Sequence, residues 1–218
     1  MGHDFILESP ELTIELRSGT VRCQPGFHFG SQYLINAFEG RIFDFLPLDD
    51  LGLVRNQKTF AGVLALDKWT GNADGRQAAF WRKNRERRCF VSFIDQGHCF
   101  NAGQWDFPDH PLRGVYCRNE VYQGVRGWDS FEPWLSRIEE IEEDAVRRIA
   151  GEIPPEWFGG EWRELENLIR ALLARRGVVR SLIDAFRLSG RCPFPNWTRE
   201  VVTCNYLHSE SGVNSLCR

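Results

Sequence analysis

Lysine is nearly missing from this chain. Its 218 residues hold three, Lys58, Lys68 and Lys83, and the first 57 residues hold none, which excludes a phosphate-gripping strand lysine from that stretch. A glycine-rich phosphate loop is excluded there too, because Gly26 and Gly30 are too sparse in PGFHFGS to form one. The seven cysteines are odd in number and scattered, with no Cys-x-x-Cys pair, so neither a zinc site nor a disulfide framework is expected. No apolar run approaches the length of a membrane span, and MGHDFILESPEL lacks the basic region and long apolar core of a secretory signal. A net charge of −3 gives no overall electrostatic footprint for nucleic acid or an anionic membrane. These absences lead to three expectations: a reducing cytoplasm, no membrane partner and no nucleic-acid partner.

What is present is apolar bulk. Eight tryptophans and sixteen phenylalanines supply enough surface for one substantial domain, or for one lobe with attachments. No internal repeat or low-complexity linker divides the chain. Residues 11–17 alternate, and Ser18-Gly19 makes a turn into 20–24, so a hairpin is expected at the start. Two strands alone make a poor sheet with open edges, which a partner would have to cover. Residues 35–56 mix Phe38, Phe43 and Phe45 with Pro47 and acids, and are expected to form a loop with short helical pieces, with Asp50 as a cap. From Gln57, the spacing of Phe60, Val63, Leu64 and Asp67 predicts a helix with Asp67 on its buried side. One long helix is expected over 131–153, N-capped by Ser130 and stopped by Pro154-Pro155. One or two more are expected over 161–188, divided near Gly177. The tail 199–218 shows no period and is expected to be flexible.

The stretch that organises the rest is 60–97, FAGVLALDKWTGNADGRQAAFWRKNRERRCFVSFIDQG. It reads as a helix, a short strand over 78–82, a basic turn over 83–88 that serves as a solvated tip, and a second strand over 89–95. A hairpin returns to the end it started from, so Asp74 and Asp95 are expected near each other at one edge. That geometry suits one acid taking a proton while the other holds a metal. Asp-Gly is also an ordinary turn signal, and solvated carboxylates at a hairpin end need do no chemistry.

The phrases LDKWTGNADGRQAAFW and FIDQGHCFNAGQW resemble the catalytic core of the HipA-like kinases, a branch of the protein-kinase-like fold. The likeness extends from about residue 26 to 197 and includes GEIPPEWFGGEW. In that family an Asp in an N-x-D-x-[HR] loop is the catalytic base, and a later Asp before Gly binds the metal. Carried over, Asp74 is the base and Asp95 the magnesium ligand, with Asn72 and Arg76 supporting the loop. The family pattern has an Asn five residues after the base as a second magnesium ligand. Ala79 stands there in this chain, leaving Gln77 or Asn72 as substitutes; Gln77 is the candidate contact to the bound cofactor.

The resemblance implies an α+β fold: a mostly helical protein-kinase-like C-terminal lobe with a central β-hairpin and a remnant of the N-terminal lobe sheet. The remnant and hinge would be 1–34, the large lobe 35–198 and the tail 199–218. It implies ATP and magnesium as cofactors and an unidentified phosphate acceptor, with little activity for this chain alone because the phosphate-binding small lobe is truncated. The alternative is a catalytically silent kinase-like binding module.

The remaining polar residues have plainer readings. Asp67 is expected to accept hydrogen bonds from the backbone of loop 70–75 and hold it in shape. Asn72 either forms the turn or touches a phosphate. For Arg76, balancing the acids, touching a phosphate and pairing at the surface all remain open. His98 and Cys99 lack the neighbours of a catalytic pair and are expected to be structural. His110, in DHP, is expected to be a loop residue.

Overall fold

The computed structural model describes residues 6, 8–16 and 19–198; the expectation of a flexible tail over 199–218 lies outside the described residues. In chain order the regular elements are β1 (Thr13–Leu16), β2 (Gly19–Arg22), β3 (Gly40–Phe43), α1 (Thr59–Thr70), β4 (Gln77–Lys83), β5 (Phe90–Ile94), α2 (Trp134–Glu139), α3 (Glu143–Gly151), α4 (Trp162–Arg175) and α5 (Val179–Arg187). Short 3-10 turns join several of them. The fold is α+β, with helices gathered on a small antiparallel sheet.

α1 is the central helix. Phe60 and Leu64 are fully buried, and so are most of their neighbours on every side, which marks a core helix rather than an amphipathic surface one. Burying each such large apolar side chain stabilises the fold by about 1.5–3 kcal/mol. α1 packs so tightly on α2 that a Cβ added at Gly62 would lie 2.4 Å from the Trp134 indole.

The second layer is a sheet in the order β3-β4-β5. Along β4, Ala78 and Phe80 are buried in the core shared with α1, and β5 adds Val91. The register sets Gln77 opposite Ile94 and Trp81 opposite Phe90. The Phe60 ring meets Phe93 and Tyr116 at 5.1 Å each. A second aromatic group, Tyr122, Phe131, Phe186 and Phe194, closes the core on the α5 side.

Four expectations are corrected here. β3 lies in the stretch read as loop and short helices: Ile42 pairs with Trp81, and Phe43 with Phe80. The 3-10 turn over Leu48–Leu53 begins from Pro47, with Asp50 inside it rather than capping it. The single helix over 131–153 is two, α2 and α3, with residues 140–142 between them. Ile141 packs in a small separate cluster with Val146, Leu165 and Ile169, and that satellite core turns the chain. Ser130 caps neither helix; its Oγ accepts a hydrogen bond from the Arg126 N–H at 2.9 Å.

β1 and β2 pair with each other in a two-stranded sheet of their own. The chain then runs through 24–34 with Phe27, Phe29 and Tyr33 largely exposed, tied down where the Trp157 Nε1–H donates to the Phe27 carbonyl at 2.8 Å.

Candidate functional site

The site is built where α1 ends. Gly71 takes a left-handed conformation with φ 61°, and its N–H returns to the Asp67 carbonyl, the glycine C-cap that turns a chain sharply out of a helix. The loop 71–76 then folds back over the last turn of α1, which brings Asn72 and Arg76 onto Asp67. Arg76 grips that carboxylate with two nitrogens, Nε to Oδ2 at 2.9 Å and Nη2 to Oδ1. The Asn72 Nδ2 donates to Oδ1 at 3.0 Å. All three side chains are buried. The partners of Asp67 are therefore side chains, not the loop backbone expected from sequence. Among the open readings of Arg76, the geometry is that of a buried ion pair, which also donates from Nη1 to the carbonyls of Ile94 at 2.8 Å and Asp95 at 3.2 Å. One guanidinium thus joins the end of α1 to the end of β5.

Burial pushes the Asp67 carboxyl up, against the pull of the Arg76 hydrogen bonds and charge, of Asn72 and of the Lys68 charge. Burial also works against the Arg76 cation, but the Asp67 hydrogen bonds and charge outweigh it and hold the guanidinium pKa above its ordinary value. The pair is covered by a segment from farther along the chain. Gly114, at φ 65°, comes so close that an added Cβ would lie 2.7 Å from the Asp67 Cβ. Its N–H donates to the Asp74 carbonyl at 3.1 Å, and the Arg76 N–H donates to the Val115 carbonyl at 3.0 Å.

Against that buried frame, Asp74, Gln77 and Asp95 are all exposed at the open end of the β4–β5 hairpin. The Asn72 Oδ1 accepts from the Asp74 N–H at 3.2 Å, and the Asp74 Oδ1 accepts from the Gly75 N–H at 2.7 Å, so the Asn72 amide joins Asp67 on α1 to the loop backbone. Gln77 Nε2 donates to Asp95 Oδ2 at 2.8 Å. Asp95 is left-handed, at φ 58°, a conformation Asp tolerates better than most residues. The segment after it returns to the loop, where the Ala73 N–H donates to the His98 carbonyl at 2.9 Å. The Cys99 Sγ takes the Thr70 hydroxyl at 3.4 Å. His110 accepts the Leu112 N–H at Nδ1.

Among the described residues no group of three or more His, Cys, Asp or Glu stands together to hold a metal. One or two carboxylates completed by phosphate oxygens and water are how magnesium is commonly held, and Asp74 and Asp95 are the exposed carboxylates at this end of the hairpin. Gln77, as the Asp95 hydrogen-bond donor, positions that carboxylate.

Two residues not singled out from sequence complete the frame. Arg175, on α4, donates to the Trp69 carbonyl at 2.8 Å, to the Lys68 carbonyl at 2.7 Å and to both Asp109 oxygens at 2.9 and 2.7 Å. It satisfies the last carbonyls of α1 and pins the loop 107–113 beneath it. Its signal in the sequence is its place on the stripe of Leu165, Leu168 and Leu172, where a charge must be paired. Lys68 is buried, donating to the carbonyls of Pro111 at 2.8 Å and Arg113 at 2.6 Å.

Burial lowers the Lys68 pKa from 10.5 to about 8, against the charges of Asp67 and Asp109. Between those values the unfolded chain keeps a proton that the folded chain has lost, so stability rises as pH climbs through that window. Urea denaturation between about pH 8 and about pH 10.5 should show this rise as a difference between the parent chain and Lys68→Met. Equal slopes for the two proteins would reject the assignment. Compared with known protein families, curated proteins and solved structures, the chain matches none.

Proposed function

We propose that the chain is the large lobe of a HipA-like phosphotransferase, acting on ATP with magnesium and a hydroxyl-bearing acceptor. The observation that supports this reading is the buried Asp67–Arg76 pair, which ties the loop carrying Asp74 to the Asp95 carbonyl at the same end of the hairpin. Exposed acids on a flexible turn would be ordinary; on a backbone held by Arg76 and Asn72 they keep a set spacing, and phosphoryl transfer depends chiefly on positioning and charge. Asp74 receives the acceptor hydroxyl's proton. Its Oδ1 is held by Gly75, which orients the carboxylate for that transfer. Asp95 holds the metal, and Gln77 orients it. When bound, magnesium would offset the charge of the phosphates.

The lysines favour a second reading, a kinase-like module that binds without transferring. Lys68 is committed to carbonyls, Lys58 precedes the far end of α1, and Lys83 ends β4 at the opposite tip of the hairpin. None is placed to hold phosphates beside Asp74 and Asp95.

With Ala79 in place of the second ligand, magnesium should bind weakly and mainly with nucleotide. Calorimetric titration of an ATP analogue with and without magnesium tests the assignment: the magnesium-dependent part of binding should be present in the parent chain and lost in Asp95→Ala. Equal magnesium dependence in both would remove Asp95 from its role.

A further inference from the structure

The opposite end of the same hairpin carries a different chemistry. Residues 82–88 hold five cations and one acid, in a chain whose net charge is −3. Arg41 on β3 stands opposite Arg82 on β4, and together with Lys83, Arg85, Arg87 and Glu86 they line a concavity of about 360 Å³. The one acid is already neutralised, because Glu86 accepts from Arg55 at 3.2 Å. Arg82 is held on the Glu86 carbonyl at 3.1 Å and over the Phe43 ring. The side chains of Arg41, Lys83, Arg85 and Arg87 make no ion pair or hydrogen bond among the described residues. Asp50 lines the adjoining cavity with Arg87 but forms no ion pair with it.

Four uncommitted cations around one hollow repel each other unless an anion joins them. Guanidinium forks match phosphate oxygens in pairs, whereas a lone ammonium offers only a point charge. Beside the hollow is Phe38, 91% exposed and held in place by the tip itself. Its carbonyl accepts from Asn84 Nδ2 at 2.7 Å, its N–H donates to Asn36 Oδ1 at 2.9 Å, and the Asn84 N–H donates to the Glu39 carbonyl at 2.8 Å. A bare aromatic ring on a fixed backbone, next to a basic concavity, is how proteins hold single strands: cations follow the phosphates and the ring takes a base. A membrane surface would be met by a broad amphipathic face rather than by a hollow with one ring.

We infer that the β4–β5 tip, with Arg41 and Phe38, is a docking site for single-stranded nucleic acid. The overall charge of the chain conceals it, because an excess of acids elsewhere cancels this patch in the sum. The site is independent of the phosphotransferase reading, since it uses none of the residues at the acid end.

The test is fluorescence anisotropy of a labelled oligouridylate of about 20 nucleotides against the purified chain, at about 50 and about 200 mM salt. Polyglutamate and vesicles of anionic phospholipid serve as competitors. The parent chain should prefer the oligonucleotide to both competitors, with affinity falling steeply as salt rises. The triple variant K83Q/R85Q/R87Q should bind at least about ten-fold more weakly and flatten the slope of log affinity on log salt by about 2, since each phosphate contact contributes about 0.7 for single strands. Phe38→Ala should weaken binding about five-fold or more while leaving the salt slope unchanged. All four substituted positions are exposed, and circular dichroism of each variant should match the parent. Competition by polyglutamate or vesicles as strong as by unlabelled oligonucleotide overturns the inference, as does an unchanged affinity in Phe38→Ala. A parent chain with no salt-dependent binding overturns it without reference to any variant.

Discussion

Arg76→Met should destabilise the chain by about 3–5 kcal/mol, the usual cost of stranding one member of a buried ion pair. The Asp67 carboxylate would then lie under Gly114 with only Asn72 to hydrogen-bond it, cut off from water and from its main counter-charge. Asp67→Ala should cost a similar amount, because it leaves the guanidinium without its acid. The double variant Asp67→Leu/Arg76→Met should recover much of the loss, since an apolar pair of similar volume needs no compensation for desolvation. Asp74→Asn, at an exposed position, should stay within about 0.5 kcal/mol of the parent. Chemical denaturation ranks all four proteins. A larger loss in Asp74→Asn than in either single variant would show that the loop is held from its exposed side, not from Asp67.

Turnover of radiolabelled ATP by the purified chain should lie orders of magnitude below the roughly 1–100 s⁻¹ typical of kinases. The acids supply a base and a metal ligand, but the charge that accumulates on the transferred phosphoryl group needs fixed cations, and removing such stabilisation costs about 10²–10³ per lost donor. The three lysines all stand elsewhere, and the guanidinium nearest the acids, Arg76, is consumed by Asp67. Supplying a lysine-bearing strand domain in trans should raise turnover, and Asp74→Asn should then lower it by about 10²–10⁴, the usual worth of a general base. Rapid turnover by the chain alone, lost in Asp74→Ala, would show that its own residues already clamp the phosphates.

The helix over Thr59–Thr70 and the hairpin after it were legible because their signals are local: apolar spacing of three and four, then two short strands around a polar turn. β3 was not, because GRIF offers one pair of apolar residues and no turn of its own; it becomes a strand only through the partner that β4 presents some 40 residues later. The division of 131–153 was hidden for a different reason. Both halves bury apolar residues, so the spacing runs on through 140–142 without a glycine or proline to interrupt it. At the site, the sequence placed Asp67 on the buried face and the two acids at one edge, yet it did not identify what neutralises Asp67. Arg76 lies nine residues away, and only the left-handed turn at Gly71 folds it back within reach. Periodicity says which way a side chain points from its own helix and nothing of what a later turn lays upon it.

Gly114 also bears on the order in which the edge forms. α1 and the hairpin adjoin in sequence, so closing them against each other involves short loops and should happen early. The Asp67–Arg76 pair, by contrast, stays wet until a segment 38 residues beyond Arg76 arrives and lays Gly114 on it. Until then Arg76 has water as its competitor and the backbone of Asp74 lacks its Gly114 partner. The acidic edge should therefore form late in folding and be lost early on warming, so that amide exchange at Arg76 and Gly114 outpaces that of the β4–β5 ladder. A folding intermediate of this chain would have its hairpin and its central helix but no organised pair of acids.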